Sequence, residues 1–156
     1  MKNLLAIFLM VFLFASCEGP MGPPGRDGED GGITYWGVEK VEIKSNEWKV
    51  QNDKNGDPAY YSFDYKIKDT DFNTYLDTYG DGLVTAYMYL DHGTNIEAQT
   101  PLPAIVPLIE SDNYNWREYY SYEYTTDGFV IFTVKYSDFI LYQRPPTSYF
   151  RIVLTY

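Results

Sequence analysis

The chain predicts an all-β fold, one antiparallel β-sandwich of about seven strands, and three observations carry that expectation. Beyond Gly32 apolar and polar residues alternate with period two, and no stretch holds a 3.6-residue period. The alternating segments are rich in Tyr, Val, Ile, Phe and Thr, which suit a pleated, half-buried surface. Between them stand turn clusters such as Asn52-Asp53-Lys54-Asn55-Gly56-Asp57-Pro58 and Tyr79-Gly80-Asp81-Gly82. Many short strands with polar turns and almost no helix point to two packed sheets of the immunoglobulin or fibronectin kind. A barrel is the alternative.

The expected strands are 34–44, 47–51, 60–68, 82–91, 118–125, 129–136 and 149–156. In the third, Tyr61, Phe63, Tyr65 and Ile67 form a stripe opposite Asp64, Lys66 and Lys68. In the fourth, Val84, Ala86, Met88 and Leu90 share one face, with Tyr87 and Tyr89 on the other. Pro101, Pro103 and Pro107 forbid a helix or a central strand over 101–109, which reads as an apolar edge or crossover segment. It is either tucked against the core or a contact site. In the last strand Phe150, Ile152 and Leu154 alternate with Arg151 and point inward.

The hairpin around Thr126-Asp127-Gly128 allows a sharper test. A two-residue Asp-Gly loop sets Glu123 on the same side as Phe132. A three-residue loop with Gly128 in the left-handed conformation shifts the register by one. Tyr124 then opposes Val130, Tyr122 opposes Phe132 and Tyr120 opposes Val134, while Ser121, Glu123, Thr133 and Lys135 share the wet face. The second register separates polar from apolar and is the one expected.

Composition bounds the function. The 156 residues carry 12 basic and 22 acidic side chains, a formal charge of −10. That balance argues against nucleic-acid binding, which needs basic surface to displace phosphate counterions. One Cys excludes an internal disulfide or a cysteine-rich zinc site, and one His excludes a multi-histidine metal cluster. Aromatic residues make up 19 % of the chain, too many for a disordered acidic segment.

The first residues form an address and an anchor. Met1-Lys2-Asn3 precedes an apolar run, LLAIFLMVFLFA, over residues 4–15. As a helix it covers about 18 Å, short of the ~30 Å hydrocarbon core, so a cleaved signal peptide over 1–16 is expected in place of a membrane span. Phe14-Ala15-Ser16-Cys17 resembles the lipobox of bacterial lipoproteins, in which the Cys becomes the first mature residue and carries acyl chains; Phe14 stands where an aliphatic residue is usual. Several acyl chains on Cys17 hold a domain durably, where one holds it only marginally.

Residues 17–32 follow as a tether. Gly recurs at 19, 22, 25, 28 and 31, the collagen spacing, with Pro in two triplets. So short a repeat reads first as an extended, solvated spacer reaching about 40 Å, and otherwise as a trimer stalk. Together the apolar leader, FASC and CEGPMGPPGRDGEDG resemble a set of cell-envelope lipoproteins of Bacteroides-type bacteria, in which a short collagen-like stretch precedes a single tyrosine-rich β domain. The resemblance is looser in Ala86-Tyr87-Met88-Tyr89-Leu90, Pro101-Leu102-Pro103 and Arg144-Pro145-Pro146. It implies an outer-membrane or cell-surface location, with the membrane as partner through the lipid, and it supplies no active-site residues.

The chemistry-bearing residues are few. His92, in Asp91-His92-Gly93, reads as a turn histidine with no nucleophile motif beside it, and no spacing singles out a catalytic carboxylate pair. Asp53, Asn55 and Asp57 space three oxygen ligands as an EF-hand loop begins. However, Gly56 stands fourth where the sixth position is required, and no Glu follows at the twelfth. The residues are equally those of a hairpin loop, so 53–57 is a weak calcium candidate and no metal or cofactor is expected. Tyr114, Asn115, Trp116 and Arg117 are expected in a polar loop, with Tyr75, Tyr79 and Trp36 in or near others. Trp116, Tyr114 and Asn115 could stack on and hydrogen-bond a sugar, unless Trp116 folds back to cap the sandwich. The sequence therefore predicts a non-catalytic, surface-tethered envelope lipoprotein whose domain over 33–156 has a structural or interaction role. A glycan-binding module using loop aromatics is the rival, and glycan or an envelope protein the expected partner.

Overall fold

A computed structural model describes residues 36–68, 78–111, 114–137 and 143–155. The expected signal segment 1–16, Cys17, the 17–32 tether and Tyr75 lie outside the described residues, as do the side chains of Trp36, Tyr114 and Asn115. The chain separates into two units, Met1–Gly32 and Ile33–Tyr156, and the second is described here.

Among the described residues of that unit there are nine strands: β1 (Trp36–Ile43), β2 (Lys49–Asn52), β3 (Pro58–Lys66), β4 (Leu83–Leu90), β5 (Ala98–Pro101), β6 (Ala104–Ser111), β7 (Tyr114–Tyr124), β8 (Phe129–Tyr136) and β9 (Ser148–Thr155). They form two separate antiparallel sheets, β1-β9-β4-β5 and β2-β3-β8-β7-β6. The fold is a β-sandwich, as expected, and not the barrel. Its strand order places the first strand beside the last, whereas in an immunoglobulin constant-type domain the first strand neighbours the second.

All seven expected segments contain a strand; the two additional ones are β5 and β6. Residues 101–109 are mostly β6, the outer strand of the five-stranded sheet. An edge tolerates Pro107 because a proline has no N–H to give to a further neighbour. Leu102, just before β6, is buried, while Ile105 is 60 % exposed. The segment is thus tucked in at one end and open along the strand.

The predicted hairpin register is the one observed. Tyr120 pairs with Val134, Tyr122 with Phe132 and Tyr124 with Val130. Gly128 has φ +84°, in the left-handed region that glycine enters without a Cβ penalty. Ser121 and Thr133 face each other across the wet side with their hydroxyl oxygens 2.7 Å apart. Tyr120 is buried as expected, whereas Tyr124, at the strand's end, is 39 % exposed and meets the Tyr79 ring edge-on at 5.7 Å.

The inward stripes meet in one aromatic core. Phe132 of the five-stranded sheet stacks on Phe150 of the other at 4.4 Å between centroids. Trp48, in the link between β1 and β2, presents its edge or face to Phe150 and Phe63 at 6.4 and 6.5 Å. That link crosses from one sheet to the other through a 3-10 turn, Ser45–Glu47, whose Glu47 carboxylate accepts the Lys44 N–H at 2.7 Å. Val84, Ala86, Met88, Ile67, Ile152 and Leu154 complete the core on the faces their alternation predicts.

Candidate functional site

The segment 114–117 is not the polar loop expected but the opening of β7, paired with β6. The reason is its register. Leu108 lies opposite Trp116 and Pro107 opposite Arg117, so β6 supplies a partner strand that proline content had hidden. Arg117 is fastened again on its other side, where its N–H donates to the Ser137 hydroxyl at 3.0 Å and its carbonyl accepts the Ser137 N–H at 2.9 Å. Trp116 is half-buried and packs on the core. It is therefore not a ring presented on a mobile loop.

The weak calcium candidate closes on itself. One carboxylate oxygen of Asp53 accepts the N–H groups of Asn55 and Asp57 at 2.8 and 2.9 Å, and Gly56, at φ +91°, completes the turn. The backbone N–H groups of Asp57 and Asn55 hold the Asp53 carboxyl below its ordinary range. The loop uses its oxygens on its own amides, an Asx-type turn. Among the described residues no three His, Cys, Asp or Glu side chains converge as a metal would require.

Two carboxylates are buried between the sheets, which alternation alone does not flag as unusual. Glu39 of β1 accepts a hydrogen bond from the Tyr65 hydroxyl of β3 and another from the Lys68 N–H at 3.3 Å, tying one sheet to the other. Glu118 of β7 is 4 % exposed and accepts from the Tyr120 hydroxyl at 2.7 Å, with the Tyr136 hydroxyl also on it. Burial pushes the Glu118 carboxyl up and the Tyr120 hydroxyl up. These groups lie in the sandwich interior, so their chemistry is that of a satisfied polar core.

The outer faces differ from each other. On the five-stranded sheet a shallow depression of about 410 Å³ is lined by hydroxyls and charges, among them Ser62, Ser121, Thr133, Asp64, Glu123 and Lys135. On the four-stranded sheet aromatic side chains stand among charged ones. His92 lies 4.1 Å from the Tyr149 ring and 5.1 Å from the Tyr89 ring, measured between centroids. Its Nδ1 is 2.7 Å from a Glu97 oxygen, which also accepts the Gly93 N–H at 2.9 Å and sits below the ordinary carboxylate range chiefly because of that amide. His92 is thus a turn residue, as expected, but its ring is pinned as the middle member of a three-ring ledge. Beside the ledge a depression of about 280 Å³ is lined by Lys40, Glu42, Tyr89, His92 and Tyr149.

Most of this ring cluster could not be read from the sequence. Tyr89 was placed on the outward face by alternation, yet only the β4–β9 pairing brings Tyr149 and Arg151 alongside that strand. No family model matches this chain, and neither a curated protein nor a solved structure matches it.

Proposed function

We propose that this chain is a lipid-anchored module of a bacterial cell envelope, a β-sandwich held off the outer membrane by a short glycine-periodic tether and serving interaction in place of catalysis. The observation that carries the reading is Cys17, which follows the apolar run 4–15 and Ser16, has the two small residues Ala15-Ser16 directly before it and opens the tether. The anchor needs no spanning segment, and no described helix is long and apolar enough to cross a membrane. The only imidazole is held by Glu97 between two tyrosines, and Glu118 is enclosed by the core, so both are engaged in structure. In the native host, acyl chains on the Cys17 sulfur and a Cys17→Ala protein released from the membrane fraction are expected. An unmodified Cys17 with the protein still membrane-bound overturns the reading.

Glycan recognition is a second reading, favoured by the Tyr89–His92–Tyr149 ledge. The three rings are tilted on one another, by 56° and 39°, and their outer parts offer apolar surface to a sugar, with polar side chains at their margin for its hydroxyl edge. It needs no contribution from Trp116. On a glycan array the wild-type protein binds and Tyr149→Ala loses that binding. Binding that Tyr149→Ala leaves intact counts against this site.

A further inference from the structure

We infer that the outer face of the four-stranded sheet takes an acidic polysaccharide, with a sugar ring on the Tyr149–His92 ledge and a carboxylate between Lys40 and Arg151. The inference deepens the glycan reading and rests on it. Three neighbouring positions across β1, β9 and β4 carry it: Lys40 pairs with Arg151, and Arg151 pairs with Tyr87. Directly opposed like charges on a sheet face cost stability, and here they stand side by side on a chain of net charge −10. An anion placed between them removes that cost.

Arg151 is already arranged for such an anion. Its guanidinium lies over the Tyr87 ring at 4.7 Å, and its Nε is buried without a hydrogen-bond partner. A guanidinium laid on a ring keeps its terminal in-plane N–H groups for a planar acceptor, and a carboxylate matches that fork. Two acids stand nearby, and Glu97 attracts Lys40 across space without any hydrogen bond between them. Glu97 is engaged by His92 and the Gly93 N–H, and Glu42 lies one row away, opposite Tyr149, where it can accept a sugar hydroxyl. The depression is shallow and open where small-molecule sites are enclosed, a shape that fits one residue of a chain running across the face. Because the whole molecule repels polyanions, binding of one reports these local cations and not general charge attraction.

The test uses the full-length protein as isolated from its host, in detergent, titrated with polygalacturonate, alginate and hyaluronan and with the carboxyl-reduced, neutral form of each. The wild type is expected to bind at least one acidic polymer about tenfold or more tightly than its reduced form, the value of one charge-assisted hydrogen bond. Lys40→Gln, a change at an exposed position, is expected to lower acidic-polymer affinity about tenfold and to leave any binding of the reduced form unchanged. Arg151→Lys keeps the charge but not the fork, and it is expected to lower the same affinity. Equal binding of acidic and reduced forms overturns the inference while the glycan reading stands. Binding of reduced forms alone does the same, and binding of none of these polymers overturns the inference, while the glycan array and Tyr149→Ala decide the glycan reading.

Discussion

In the five-stranded sheet three of the four strand pairings, β2-β3, β6-β7 and β7-β8, join strands that follow one another in the chain; in the four-stranded sheet only β4-β5 does. The latter is held by β9, which reaches back to lie between β1 and β4. One sheet is therefore written in local turn chemistry, the other in contacts between distant segments. Closing such distant contacts costs chain entropy before any contact is gained. The same division marks the surfaces. The local sheet shows a mixed outer face, a depression lined mainly by hydroxyls and charges beside the exposed Ile105 and Tyr119, while the sheet assembled from distant strands collects the aromatic ledge and the Lys40–Arg151 pair.

The largest test of this difference is to end the chain at residue 147. Without β9 the core loses Phe150, Ile152 and Leu154, each at most 1 % exposed, and β1 loses its one partner among the described strands. No cooperative unfolding transition is expected in a thermal or urea scan; a truncated protein that still unfolds cooperatively shows the hairpin-built sheet to be self-sufficient. Next, Phe132→Ala and Phe150→Ala remove the two halves of one stacked pair. Each is expected to cost about 3–5 kcal/mol in urea unfolding. If the local sheet forms first, Phe132→Ala acts mainly on the folding rate and Phe150→Ala mainly on the unfolding rate. The reverse pattern breaks the comparison.

Two glycines extend it at smaller scale. A Cβ on Gly82 would lie 2.2 Å from the Thr155 carbonyl oxygen of β9, so Gly82→Ala must displace the end of that strand. A loss of about 1–3 kcal/mol is expected, as for overpacking. Gly128→Ala strains only the hairpin's left-handed residue, and about 1 kcal/mol is expected. Matching losses would mean that β9 yields as easily as a turn. The smallest effect is electrostatic. Burial raises the Glu118 carboxyl above its ordinary value of 4.5, so folding favours its protonated form. Its contribution is complete below pH 4.5 and is lost as pH rises through the raised value. Glu118→Gln, which stays neutral, should gain stability relative to the wild type as pH rises from below 4.5 towards neutrality. A difference that does not change with pH counts against a raised carboxyl.

Legibility followed the same line as the pairing. The Tyr120–Val134 register could be read because one residue more or less in the loop turns every side chain over, and only one choice separates Glu123 from Phe132. The inward faces of β3, β4 and β9 were legible for the same reason. The strand at 104–111 was not, because prolines mark an edge strand and a loop alike until a partner is known. The segment 114–117 was misplaced with it, although Trp116 does pack on the sandwich core. Nor did alternation disclose that Glu39 and Glu118 are buried, since a charged residue in an inward position usually argues against the strand, and here tyrosine hydroxyls satisfy both.

What the amino-acid sequence determined alone was everything set by neighbours along the chain: an all-β class, the hairpin at Gly128, and which face of a strand is apolar. These depend on local sterics and a period of two, which a reader can count. The tertiary structure alone decided that β9 lies between β1 and β4, and with it the Tyr89–His92–Tyr149 ledge and the Lys40–Arg151 pair. Those groups come from segments up to about a hundred residues apart, and only the packing of two sheets over one aromatic core brings such segments together.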